Sequence, residues 1–179
     1  LAYGINCGLA LGVAQSLKAD LDDAVQGIEE NLSLPPGRSS LIKGTKDTYI
    51  IDSSYNASPA AMETMLDLLD RLGKKTKGKK VAVLGDMREL GGQSKVEHEQ
   101  LAEKAAEVVD EIITVGPEMK KYFIPKFATI TPDRGRLLKG FETAGEAAEY
   151  LKDNLEGGEL ILVKGSQNTI FLGIVVEGM

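Results

Sequence analysis

Apolar residues early in the chain recur at helical spacing. Leu9 and Val13, with Ala10, Ala14 and Leu17 on adjoining positions, predict a helix over Asn6–Leu17. Asp20 stands where an N-cap belongs, ahead of a second helical stripe through Leu21, Ala24, Val25, Ile28 and Leu32. Pro35-Pro36-Gly37 ends that pattern, because two rings with fixed φ and a glycine favour a loop or hinge. A domain boundary is expected near residue 40, dividing the chain into segments 1–40 and 41–179.

Beyond the boundary the period switches between two and 3.6. Leu41–Lys43 and Thr48–Ile51 flank the turn Gly44-Thr45-Lys46-Asp47 and predict a hairpin. Ser58-Pro59 marks a helix start, with Met62, Met65, Leu66, Leu69 and Leu72 as its buried stripe. Lys80–Leu84, Glu111–Val115 and Leu160–Val163 are near-continuous apolar runs, as expected of strands covered on both faces. Between them fall a helix with Leu101, Ala105 and Val108 after a Ser94/Glu97 capping box, and a short helix opened by Pro117. A short strand over Arg136–Phe141 and a helix after a Thr143/Glu146 capping box come next. Ser166 is expected to cap a last helix with Ile170, Phe171, Ile174 and Val175.

Strands alternating with helices predict an α/β fold of Rossmann-like type. Its sheet is mostly parallel with helices on both faces, and a short helical segment precedes it. In such sheets ligands sit beyond the carboxyl ends of the strands. Four loops therefore matter: Asp52–Ser58, Gly85–Ser94, Gly116-Pro117 and Lys164–Ser166.

Composition narrows the chemistry. The 179 residues carry 21 Lys+Arg against 27 Asp+Glu, for a net charge of -6. That field opposes nucleic acid phosphates and anionic lipid, so neither is an expected partner. One cysteine, Cys7, and one histidine, His98, leave no multi-cysteine zinc site, and no metal ligands are assigned. No apolar run approaches the roughly 20 residues of a membrane span, and no signal peptide is visible, so a cytoplasmic setting is expected. The chain opens on Leu1 rather than Met, which suggests a piece of a longer polypeptide. The basic run Lys74–Lys80 reads as a solvated connection.

Three loops are dense in reactive or hydrogen-bonding groups. Asp52-Ser53-Ser54-Tyr55-Asn56-Ala57-Ser58-Pro59 leads from a strand into a helix whose free N–H groups suit an anion, although Asn56 and Ser58 equally suit a turn and a cap. Gly85-Asp86-Met87-Arg88-Glu89-Leu90-Gly91 is a glycine-flanked loop after a buried strand. It carries acids, with an Arg that can pair with one of them, and His98 follows. Lys164-Gly165-Ser166 ends the last strand, where a lysine can neutralise an anion. Neither a Gly-x-x-x-x-Gly-Lys-Ser/Thr phosphate loop nor a Gly-x-Gly-x-x-Gly fingerprint is present.

Taken in order, these strings and the Pro36-Gly37-Arg38 hinge resemble the C-terminal domain of the Mur ligases, within that family the branch that adds D-alanyl-D-alanine. The likeness covers about residues 35 to 179, and residues 1 to 34 resemble the last helices of the family's central ATPase domain. The resemblance implies an ATP-dependent amide ligase of peptidoglycan precursor synthesis, acting through an acyl phosphate of a UDP-N-acetylmuramoyl peptide attacked by D-Ala-D-Ala. It implies that ATP and Mg2+ are held mainly by the central domain, that no catalytic residue lies in this chain alone, and that the fragment is inactive by itself. It places Arg38 at the ATP phosphates and Asp52 at the nucleotide ribose. Asn56, Ser58, Lys164 and Ser166 fall on the amine-substrate side, and Asp86 and His98 join them more loosely. Two positions depart from the family pattern: Ser53 replaces a second acid, and Ser58 replaces a more usual Asn. The alternatives are a Mur-type ligase for another amino acid, and a non-enzymatic α/β binding or regulatory module with Asp52 as a phospho-acceptor.

Overall fold

A computed structural model describes residues 2–33, 35–131, 137–166 and 175–176. The chain divides into two compact units, Leu1–Leu34 and Pro35–Met179.

The first unit is a helical pair, α1 (Ala2–Ser16) and α2 (Leu21–Asn31). Asp20 caps α2 as expected, its carboxylate accepting from the N–H groups of Asp22 and Asp23. Lys18 takes the left-handed conformation at φ 58° that ends α1, with Ala19 N–H returning to Ala14 O. Ile5, Leu9, Val13 and Leu17 follow one another at four-residue intervals and are all exposed, Leu17 at 76%. The apolar stripe exists, but it builds no core of its own.

The second unit carries a six-stranded sheet in the order β1-β2-β6-β3-β4-β5. The strands are β1 (Ser40–Lys43), β2 (Tyr49–Ser53), β3 (Lys80–Gly85), β4 (Glu111–Val115), β5 (Leu137–Phe141) and β6 (Leu160–Lys164). Only the β1–β2 hairpin is antiparallel. The connecting helices are α3 (Pro59–Gly73), α4 (Ser94–Val108), α5 (Ile124–Ile130) and α6 (Ala144–Asn154).

Strand alternation splits the apolar runs between two faces. Ile51, Ala82, Leu84, Ile112 and Leu162 pack with Met62, Leu66 and Leu69 of α3, Leu101 and Ala105 of α4, and Phe127 of α5. Ile50, Val81, Val83, Ile113, Ile161 and Val163 pack with Ala147 and Leu151 of α6 and with Val175. Each fully buried Leu, Ile or Phe contributes roughly 1.5–3 kcal/mol, so both layers are needed to hold a sheet with two greasy faces.

Three local expectations change. Ser94 forms no capping box: its own backbone is helical (φ -50°, ψ -47°), because a 3-10 turn, Gly91–Gln93, feeds directly into α4. The helix opened by Pro117 does not stop at Phe123 but passes through a π-helical stretch, Met119–Phe123, into α5. That stretch keeps Met119, Phe123 and Phe127 buried together, with Phe123 and Phe127 stacked at 5.6 Å. Ser58 sits at the N-cap of α3 but makes no side-chain cap bond. The Thr143/Glu146 capping box forms as expected. Of the last helix expected after Ser166, Ile170, Phe171 and Ile174 lie outside the described residues, and Val175 is helical and buried.

Candidate functional site

β2, β6 and β3 lie side by side, and their carboxyl ends carry Asp52, Lys164 and Asp86 onto one edge. In register, Lys164 is flanked by Ser53 of β2 and Leu84 of β3.

On the β2–β6 flank the Gly37 turn is tied down first. Asp52 is buried, and its carboxylate accepts from Gly37 N–H (2.8 Å), Ser54 N–H (3.1 Å) and the Ser54 hydroxyl (2.7 Å). Tyr55 N–H in turn donates to Gly37 O. Gly37 needs its φ of +76°, and a Cβ there would lie 3.0 Å from the Tyr55 backbone nitrogen. This clamp sets Arg38 over the Tyr55 ring, 4.1 Å from guanidinium to centroid, a cation–π contact. The Arg38 and Tyr55 side chains are exposed beside the loop.

Lys164 is the unusual group of this flank. It is only 3% exposed, yet its ammonium donates to two neutral oxygens, the Ser53 hydroxyl (3.2 Å) and the Asn56 carbonyl (2.8 Å). Among the described residues no carboxylate pairs with it. Burial without a counter-charge pulls its pKa down from 10.5 to about 8. An ammonium has three donors, and two are engaged here. Asn56 Oδ1 accepts from Ala57 N–H, and the uncapped Ser58 hydroxyl is exposed on the same loop.

On the β3–β4 flank the polar groups satisfy one another. Asp86 is buried and accepts from Met119 N–H (2.8 Å) and Glu118 N–H (3.3 Å), serving as a remote cap for the helix after β4. Burial holds its carboxyl above the ordinary range, and those two N–H bonds oppose the shift. Gly116, at φ +118°, makes the approach possible, since a Cβ would lie 2.6 Å from the Asp86 carboxylate. Asp86 O accepts from Ser166 N–H (3.2 Å), which joins β6 to the same knot. His98 is fully buried. Its Nε2 accepts from Met87 N–H (3.1 Å), and its Nδ1 lies 2.8 Å from Ser94 O. The Ser94 hydroxyl donates to Glu118.

Outside this knot is a cleft of about 300 Å³ lined by Arg88, Glu89, Gly91, Ser94 and Glu118 among others. Arg88 is exposed and makes no ion pair among the described residues, so the surface pairing expected for it is absent. Glu89 adopts φ +63°, in the left-handed region. Glu118 was not legible as a site residue. Its only sequence signal is an acid one position into a helix that starts just past a strand.

The sequence pattern described as "Mur ligase, glutamate ligase domain" matches residues 37–167. The chain belongs to the Mur ligase family. It is 32% identical over 136 residues to the UDP-N-acetylmuramoyl-tripeptide--D-alanyl-D-alanine ligase of Escherichia coli, covering 70% of this chain and 29% of that protein. The Bacillus subtilis protein of the same name is 31% identical over 147 residues, covering 82% and 31%. The crystal structure of MurF ligase from Thermotoga maritima in complex with ADP superimposes with a TM-score of 0.70 at 27% identity, covering 94% of this chain and 35% of that one. The chain therefore spans about a third of the length of the relatives it matches.

Within this Mur ligase domain, the edge gathers Asp52, Asn56, Ser58 and Lys164 on one flank with Arg38 beside them, and Asp86 and Ser166 on the other, with His98 buried beneath the loop after β3. Asp52, Asp86 and His98 already have their hydrogen-bonding atoms occupied from within the chain. The Lys164 ammonium has a third donor with no partner among the described residues, and Ser58 is exposed without a cap bond. Among the described residues no group of three or more His, Cys, Asp or Glu side chains could hold a metal ion. No helix there is long and apolar enough to cross a membrane.

Proposed function

We propose that this chain is the amine-presenting domain of a cytoplasmic ATP-dependent ligase that joins D-Ala-D-Ala to a UDP-N-acetylmuramoyl tripeptide through an acyl phosphate. The observation that carries the reading is Lys164, a buried ammonium between neutral oxygens at the ligand edge of a Mur ligase domain. Its remaining donor suits the carboxylate of the incoming dipeptide, with Ser58 and Asn56 beside it. A charge-assisted bond in so dry a place is about twice as strong as a neutral one. Arg38, exposed at the mouth of the hinge, suits phosphate oxygens as a fork of donors. Asp52 acts by fixing the Gly37 turn from which Arg38 projects.

Apart from Arg38, the residues present do not cradle a triphosphate, and they do not fit Mg2+: the chain has no phosphate loop, and its described residues offer no carboxylate cluster. Those groups belong to the other domains, and 1–40 is read as the end of the central one. The chain supplies binding and orientation of the amine, and exclusion of water from the reacting acyl group when the domains close.

The test is phosphate release with ATP, the UDP-linked tripeptide and D-Ala-D-Ala. The complete ligase carrying this chain is expected to turn over, with Lys164→Met raising the dipeptide KM by about tenfold, the worth of one charge-assisted bond. The 179-residue chain alone is expected to release none. Turnover by the chain alone, or none by the complete protein with this dipeptide, overturns the proposal.

A further inference from the structure

His98 lies below the ligand edge rather than on it, and its ring can be assigned a tautomer from its partners alone. A backbone N–H can only donate, so Nε2, which faces Met87 N–H at 3.1 Å, bears the lone pair. A carbonyl can only accept, so Nδ1, 2.8 Å from Ser94 O, bears the proton. The ring thus bridges the start of the Arg88–Gly91 loop to the first turn of α4, closing the loop at both ends.

The bridge continues. The Ser94 hydroxyl holds the Glu118 carboxylate, Glu118 N–H and Met119 N–H hold the Asp86 carboxylate, and Asp86 O receives Ser166 N–H. Asp86 and Met87 are neighbours in sequence, so the chain of bonds returns to its origin. It ties the loops after β3, β4 and β6 to one another, and its members are buried or half-buried, where an unmade bond costs most.

We propose that His98 is a positioning residue for amine-substrate recognition. Through Met87 and Ser94 it sets the Arg88–Gly91 loop over the cleft, and through Glu118 and Asp86 it fixes Ser166. It touches no substrate itself. The inference rests on the ligase reading above and adds to it that specificity for the amine is set by a loop whose register this ring dictates.

Two conservative variants separate the ring's two bonds. Gln places an acceptor where Nε2 stood, and Asn places a donor where Nδ1 stood. In the 179-residue chain, His98→Gln is expected to leave Met87 amide exchange within about threefold of the parent, and His98→Asn to speed it by about tenfold. Amides of Val83 and Ile113 stay protected in both. In the complete ligase, His98→Asn is expected to raise the KM for the dipeptide by about tenfold with the ATP KM within twofold, and His98→Gln to restore most of it. Equal behaviour of the two variants, or a joint rise of both KM values, overturns the positioning role. A parent enzyme with no turnover on the dipeptide overturns the ligase reading instead, and the exchange pattern distinguishes that failure from the first.

Discussion

The two flanks of the ligand edge handle buried charge in opposite ways. Beside β4, Asp86 is surrounded by donors from its own chain, and His98, Ser94 and Glu118 extend the same closed set of bonds. Beside β2, Lys164 is as deeply buried but, among the described residues, its ammonium meets only neutral oxygens. Desolvating an ion without an opposite charge is unfavourable, and proteins keep such groups where a ligand supplies the missing partner. The first flank therefore satisfies its buried charge from within the chain, whereas on the proposed reading the second receives its counter-charge from the substrate carboxylate. Ser53 is central to the difference, because a carboxylate in its place would neutralise Lys164 from within.

The sharpest way to break the contrast is to remove Asp86. Asp86→Ala leaves two backbone N–H groups without an acceptor and is expected to cost about 4 kcal/mol in urea unfolding, with Asp86→Asn losing about half of that. A loss under about 0.5 kcal/mol would mean that the β4 flank is not closed on itself.

Lys164 gives the next largest effect, and its sign is opposite to that of a paired lysine. Its folded pKa, about 8, lies below the ordinary 10.5. Between those values the unfolded chain keeps a proton that the native chain has released, so stability should rise with pH across that window. The full rise is on the order of 3 kcal/mol. Lys164→Met should remove it. A flat profile in the parent, or one unchanged in the variant, would show that the ammonium has a counter-charge after all. Side-chain NMR should find this one lysine titrating ahead of the exposed ones.

Two hydroxyls sharpen the comparison at smaller scale. Thr143 completes a capping box, and Thr143→Ala should cost about 1 kcal/mol in the same assay. Ser58 occupies the same position on α3 without a cap bond, so Ser58→Ala should change stability by less than about 0.5 kcal/mol. In the ligase it should still weaken dipeptide binding a few-fold, about 0.5–1 kcal/mol for one neutral hydrogen bond. A full capping cost at Ser58 would place its hydroxyl with the scaffold.

Much of the sheet was legible because a buried parallel strand and an amphipathic helix each impose a period that the side chains cannot hide. Lys80–Leu84, Glu111–Val115 and Leu160–Val163 lie where their apolar runs put them. So do the hairpin around Gly44–Asp47 and the box at Thr143. Two of the misreadings share one cause. Ser94 and Glu97 have the spacing of a box, but the Ser94 hydroxyl reaches Glu118, 24 residues away, and that long-range bond prevails over the local one. The extension through Met119–Phe123 answers to the packing of Phe123 and Phe127, which a local start signal at Pro117 does not contain.

The site divides in the same way. Sequence alone determined which loops carry it, because hydrophobic period fixes strand ends and strand ends fix the edge where ligands bind. It also determined the residue types there, and with them the Mur ligase likeness. Only the tertiary structure decided which of those residues are already hydrogen-bonded within the chain. Asp52, Asp86 and His98 read as ligand groups in the chain, yet each already has partners within it: Gly37 and Ser54 at Asp52, Glu118 and Met119 at Asp86, Met87 and Ser94 at His98. Among the described residues Lys164 has a donor to spare, because β2 and β3 place Ser53 and Leu84, not an acid, on either side of it. Hydrogen-bond capacity is set by what the fold brings within 3 Å, and that is a property of neighbours in space.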